Sequence, residues 1–200
     1  MSYFRADVTL FAQMVEKDCL RYSTDNRASL RTLFKVPGKA EHHHYLVVTL
    51  FDELAEDVSR MDLADSWFEV KGELVDRSPE FSTHKLPELS VRAYQIESIP
   101  IASSTLLNVE VIGRLTHDPE HIIKGNDFEF ARTSVAVNRK ERKACFFNIS
   151  IFKPRLIKEA EGKLKKGIQV LICGELTFFD KGGDSKVHTA IKMNRFLTFS

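Results

Sequence analysis

The sequence predicts a mainly β protein built as two small closed barrels in tandem, each of five strands with a short helix between the third and fourth. Three observations carry this expectation. The 200-residue chain repeats itself at about half its length: Val48-Thr49-Leu50-Phe51 reads against Ile149-Ser150-Ile151-Phe152, and Arg31-Thr32 against Arg132-Thr133. Gly72-Glu73-Leu74 reads against Gly174-Glu175-Leu176, one residue further on. Such a repeat is most simply two copies of one domain. Each half is large enough for a small single core. Both halves also give the same order of period-two and helical-period segments.

The second half is the better punctuated. Asn108 to Leu115 alternates as a strand, with Val109 and Val111 on one face. Phe128 to Val137 is a second strand, Arg139-Lys140-Glu141-Arg142-Lys143 a basic turn, and Phe146 to Phe152 a third strand. Pro154 breaks it, and Leu156, Ala160 and Leu164 fall at helical spacing. Ile168 to Phe179 is the fourth strand, Asp180-Lys181-Gly182-Gly183-Asp184 a hairpin turn, and Val187 to Phe196 the fifth strand.

In the first half, Asp7 to Gln13, Ala28 to Val36 and Tyr45 to Phe51 are strands. Leu54, Val58 and Met61 mark the helix. Trp67 to Val75 and Leu89 to Ile96 complete the set, with a longer loop from Ser78 to Pro87 between them. Ser98 to Thr105, with Pro100 and two serines, reads as the joint. The expected domains are therefore residues 1–98, a linker of 99–105, and residues 106–200. Five strands with this helix position is the layout of the OB barrel; the alternative is two unrelated small β sandwiches.

Composition narrows the setting. No run approaches the roughly 18 apolar residues of a membrane helix, and the opening residues lack the apolar stretch of a secretion signal. Cys19, Cys145 and Cys173 are odd in number and scattered, which fits a reducing compartment and not a disulfide frame or thiolate zinc site. A cytoplasmic setting, bacterial or phage- or plasmid-encoded, is expected. The net charge of +1 divides unevenly: residues 1–100 hold 12 Lys and Arg against 17 Asp and Glu (−5), residues 101–200 hold 17 against 11 (+6). The basic half suits a polyanion.

On the strand Phe146 to Phe152, the row Phe147, Ile149 and Ile151 must face the core, so Phe146, Asn148, Ser150 and Phe152 face out. Two outward aromatics need a cover: stacked nucleobases, at about 1–3 kcal/mol each, or a protein interface. On the fourth strand Val170 and Ile172 point in, while Gln169, Leu171, Cys173, Thr177 and Phe179 point out. Phe179, with Lys181 and Lys186, makes the hairpin an arm able to close over a strand; a packed ring at the hairpin root is the other reading. Arg139, Lys140, Arg142 and Lys143 would contact phosphates, as would Arg114 and Arg132 unless local ion pairs hold them. Lys163, Lys165 and Lys166 complement the helix C-terminus.

At this point the second half resembles the bacterial single-stranded DNA-binding proteins. Asn108-Val109-Glu110-Val111-Ile112-Gly113-Arg114-Leu115-Thr116-His117-Asp118-Pro119-Glu120 is similar to their opening strand, and Leu164-Lys165-Lys166-Gly167-Ile168-Gln169-Val170-Leu171-Ile172-Cys173-Gly174-Glu175-Leu176 to their fourth. The resemblance covers roughly residues 106–197. It implies an OB fold and sequence-independent wrapping of single strands, with Phe146 where the family usually has a stacking tryptophan, Phe152 on its stacking phenylalanine, and Phe179 and Lys181 on its fourth-strand arm. A further family tryptophan falls near Glu141, where only charge is found. The chain closes on Phe199-Ser200 without the family's acidic-tipped tail, so recruitment by such a tail is not expected.

In the first half Tyr45 matches Phe146 and Phe51 matches Phe152. That domain either binds a strand as well or, being acidic, is structural and uses the surface for protein contacts. His42-His43-His44 is not read as a metal site, because successive side chains on a strand point to opposite faces. Trp67 reads as core or interface. No phosphate loop, nucleophile elbow or metal-ligand spacing is present, so no enzyme activity and no cofactor is expected. The leading expectation is a non-catalytic binder of single-stranded DNA in replication, repair or transfer, with two chains supplying four barrels as a homodimer. The alternatives are an accessory protein of replication restart, DNA transfer or secretion, and a single-stranded RNA binder.

Overall fold

The computed structural model describes residues 4–37, 43–62, 66–76, 84–100, 106–125, 128–138, 143–180 and 187–199. They form two compact units. The N-terminal unit is Val8–Leu107 with Phe178–His188; the C-terminal unit is Asn108–Thr177 with Met1–Asp7 and Thr189–Ser200.

The N-terminal unit is built from β1 (Arg5–Lys17), β2 (Arg21–Tyr22), β3 (Ala28–Pro37), β4 (His43–Phe51), α1 (Asp52–Arg60), β5 (Trp67–Val75) and β6 (Ser90–Ile99). Its strands run in the order β2-β3-β4-β6-β5-β1, and a β3–β1 pairing closes the barrel. β4 and β6 lie parallel, the rest of the described register antiparallel. Alternation delivers the core: Leu10, Met14, Leu30, Phe34, Leu46, Leu50, Phe68 and Leu74 are fully buried. Phe34 and Phe68 meet edge to face, with centroids 6.2 Å apart. Ala55 and Val58 form the buried face of α1. Met61, expected on that face, lies past the last turn and is exposed. Lys17 Nζ donates to the carbonyls of Ser59 and Met61, each at 2.7 Å, and so satisfies the orphan acceptors of the helix end.

The C-terminal unit repeats the plan with β7 (Leu106–Leu115), β8 (Glu120–Lys124), β9 (Phe128–Val137), β10 (Cys145–Ile151), α2 (Pro154–Lys163), β11 (Gln169–Asp180) and β12 (Val187–Phe199). The order is β7-β11-β12-β10-β9-β8, closed by β7–β9, with β10 and β12 parallel. Both units are OB barrels. Pro154 opens α2, where its missing N–H costs nothing, and Ile157, Ala160 and Leu164 are buried over the barrel. Leu156, expected on that face, is only half-buried. The short strands β2 and β8 were not expected. The joint begins later than Ser98, because β6 runs to Ile99; residues 101–105 lie outside the described set.

The repeated residues have repeated reasons. Thr32 and Thr133 are both buried, and their hydroxyls donate to the carbonyls of Val48 (3.0 Å) and His117 (2.8 Å). A Cβ on Gly72 would collide with the Arg92 carbonyl oxygen, and one on Gly174 with the Lys192 carbonyl oxygen. Gly113 stands equally close to the Ala136 carbonyl oxygen, where β7 closes on β9. Glycine is required where the backbones of a small barrel crowd at a bend. Cys19, Cys145 and Cys173 form no disulfide, and no helix among the described residues is long and apolar enough to cross a membrane.

Candidate nucleic-acid interface

β10 sets the site by alternation. Phe147, Ile149 and Ile151 are at most 2 % exposed. Phe146 is 59 % exposed, and Phe152, one residue past the strand end, is 38 % exposed. Six residues of strand separate the two rings, about 20 Å at 3.3–3.4 Å per residue. Two stacked partners on these rings are therefore different bases.

β9 supplies the neighbours. Its register sets Ala136 beside Phe146 and Arg132 beside Ser150. Continued by one step, it brings Phe130 to Phe152. Three rings meet there: Phe130–Phe152 centroids are 5.9 Å apart, Phe128–Phe130 5.8 Å and Phe128–Phe152 6.1 Å. No pair is tilted more than 39° from parallel. β8 pairs Ile122 with Phe130 and Lys124 with Phe128, and Lys124 Nζ lies 5.7 Å from the Phe130 centroid. Phe128, Phe130 and Lys124 were not among the expected site residues. Their i, i+2 spacing on β9 puts both rings on one face; that this is the face of Phe152 emerges only from the strand register.

The expected cations divide. Arg132 Nε donates to Glu120 Oε2 at 2.8 Å across the β8–β9 pair. Arg114 donates to the Gly167 carbonyl at 3.0 Å and lies 5.8 Å from the Phe4 ring centroid. Lys143 and Lys153 are exposed. Arg139, Lys140, Arg142 and Lys181 lie outside the described residues. Phe179 is half-exposed and stacks on His188 with centroids 5.7 Å apart. The adjoining Phe178 stacks on His44 and Asp180 pairs with Lys85 at 2.7 Å, all within the N-terminal unit.

In that unit the counterpart surface is differently furnished. Tyr45 is half-buried and stacks on His84 at 3.9 Å. Phe51 is half-buried and pairs with Ser29. Read through the 101-residue offset, Phe128 and Phe130 become Arg27 and Ser29. Arg27 is bound to Asp52 at 2.8 Å, and this contact holds the Asp52 carboxyl below its ordinary pKa. His43 is exposed and His44 buried, so these neighbours do take opposite directions.

The model of the single-strand binding protein family matches residues 106–197. This stretch is similar to that family. No curated protein matches the chain. Among solved structures, a deletion mutant of the single-stranded DNA binding protein from Thermus aquaticus superposes with a TM-score of 0.74 at 22 % identity, covering 100 % of this chain and 97 % of that one. The wild-type protein from the same organism gives a TM-score of 0.74 at 21 % identity, covering 98 % and 94 %. At these identities the likeness is one of fold, and it extends over both barrels.

Within residues 106–197, the two stretches that resemble the family meet each other. Asp118 Oδ1 accepts the Lys166 N–H at 2.6 Å, and Lys165 Nζ lies 3.5 Å from its other oxygen. Gly167 N–H donates to the Leu115 carbonyl at 2.8 Å from a backbone at φ +84, which glycine tolerates. The Asp-Pro-Glu segment thus ties the end of β7 to the turn before β11. The Lys166 amide, then Lys165, hold the Asp118 carboxyl below its ordinary pKa. Its stabilising effect is therefore complete above the unfolded value of about 3.9 and is lost as pH falls through the lower folded value. Asp118→Asn is expected to lower the urea midpoint of the C-terminal unit at pH 7, with the gap to wild type closing below pH 4 (chemical denaturation across pH checks this).

Proposed function

We propose that this chain binds single-stranded DNA without regard to sequence, as a cover and not as an enzyme. One observation carries the reading: a barrel that matches the single-strand binding family's model presents Phe146 and Phe152 to solvent along a strand whose alternate residues are sealed in the core. Bases stack on those rings, and on Phe179 in the hairpin. Phosphates fall to Lys143 and to the neighbouring Arg139, Lys140 and Arg142, with Lys181 on the arm. For Arg132, phosphate competes with Glu120. Tyr45 and Phe51 contribute little, since the N-terminal barrel is acidic and its ring at position 45 is already stacked. That barrel serves as scaffold. The domains divide at a linker that follows β6, within residues 100–105, and two chains pair to give four barrels. The setting is the cytoplasm, in replication or repair.

Fluorescence polarisation with labelled oligodeoxynucleotides tests the reading. Affinity is expected to rise with oligonucleotide length, to tolerate any base composition, and to fall with salt. Five phosphate contacts give a slope of log K against log salt of about −3.5. Absence of binding at low salt overturns the proposal.

A further inference from the structure

The outer face of β8, β9 and β10 ends in a patch that fold alone does not require. Phe128 is 52 % exposed, Phe152 38 %, and Phe130 is half-buried between them. Ile122 lies beside Phe130 across the β8–β9 pair. Exposed rings in such a cluster need a cover. The duplicated barrel shows that the architecture stands without them. At the same places it carries Arg27 and Ser29, closed by the Arg27–Asp52 ion pair. The three-ring cluster is thus a property of the C-terminal unit and not of the barrel plan.

The rim favours one occupant. Lys124 Nζ stands over Phe130, Lys153 follows Phe152 in sequence and is exposed, and residues 101–200 carry a net +6. Rings beside cations match an unpaired base with its phosphate, whereas the same patch on a second copy of this chain would bring like charge against like. We infer that Phe128, Phe130 and Phe152 form a second base-stacking station, separate from Phe146, with Lys124 as its phosphate contact. This rests on the single-stranded DNA reading and gives the bound strand a course. It runs along β10 from Phe146 and turns across β9 toward β8. Arg132 lies between the two stations on that face, already neutralised by Glu120. The strand is therefore gripped at its two stations more than between them.

The test uses the full chain and a labelled oligo-dT. The Phe128→Ser, Phe130→Ser double variant is expected to bind at least tenfold more weakly, because a base at this station loses the rings it stacks on. Phe128→Trp is expected to gain emission that DNA quenches, beyond any response of Trp67, the one native tryptophan. Lys124→Glu is expected to weaken binding at low salt, with the deficit vanishing at high salt. If the double variant fails to fold, the tryptophan and Lys124 variants decide the matter. A wild type that binds while all three variants bind within twofold of it, with no added quenching, overturns the second station and leaves the function standing. A wild type that binds no DNA overturns both. Unchanged affinity with a loss of self-association in sedimentation assigns the patch to a protein interface and overturns the inference.

Discussion

Replacing Phe146 and Phe152 together by alanine is expected to weaken oligonucleotide binding about a hundredfold or more, read by fluorescence polarisation at fixed salt. Each ring contributes about 1–3 kcal/mol by stacking, and every 1.4 kcal/mol is tenfold in affinity. Phe146 is 59 % exposed and Phe152, 38 % exposed, packs on surface rings, so the variant is expected to lose far less stability than a core substitution. Phe147→Ala is the contrasting control. That ring is 2 % exposed on the same strand, and its loss costs about 3–5 kcal/mol of folding energy. Coupling separates the two stations further. Phe146 lies about 20 Å from Phe152, so their losses are expected to add. Phe152 touches Phe128 and Phe130, so its loss overlaps theirs. An affinity within threefold of wild type would remove the aromatic basis of the proposed function.

A large effect on folding is also expected at Gly174. A side chain there meets the Lys192 carbonyl oxygen and the Ile191 side chain, both across the β11–β12 pair. Neither a backbone oxygen nor a buried isoleucine yields easily in a core packed to crystal density. Gly174→Val is therefore expected to cost about 3 kcal/mol, the upper range for overpacking. In a unit of about 100 residues that lowers the melting point by roughly 12–24 °C. Differential scanning calorimetry would show the transition of the C-terminal unit displaced, and a shift under 2 °C would mean that the barrel does not need the close approach.

Most of the barrel plan was legible because alternation is a physical signal. The row Phe147, Ile149, Ile151 announced its own burial, and the recurrence of Gly72 and Gly174 marked the same bend in both copies. The strand Phe128–Val137 was readable to the residue. What stayed hidden depended on partners. β8 is five residues long with Ile122 and Ile123 adjacent, so it carries no alternation, and without β8 the Glu120 partner of Arg132 was invisible. The three-ring cluster needed the register of β9 against β10, which pairing sets and periodicity does not. The Asp118-Pro119-Glu120 segment was recognised by resemblance, yet its work here is to fasten a turn through the Lys166 amide.

Phe146 and Phe152, one ring of each station, are carried by β10 and its immediate continuation, and a β strand held on each side by hydrogen bonds is among the stiffest parts of a small domain. Their separation is a fixed gauge. A polymer laid on it must adjust its own backbone to reach both marks, because the protein has no hinge between them. The ordering entropy of association then falls on the nucleic acid, and a pyrimidine tract would settle with less stacking to break than a purine tract already stacked upon itself.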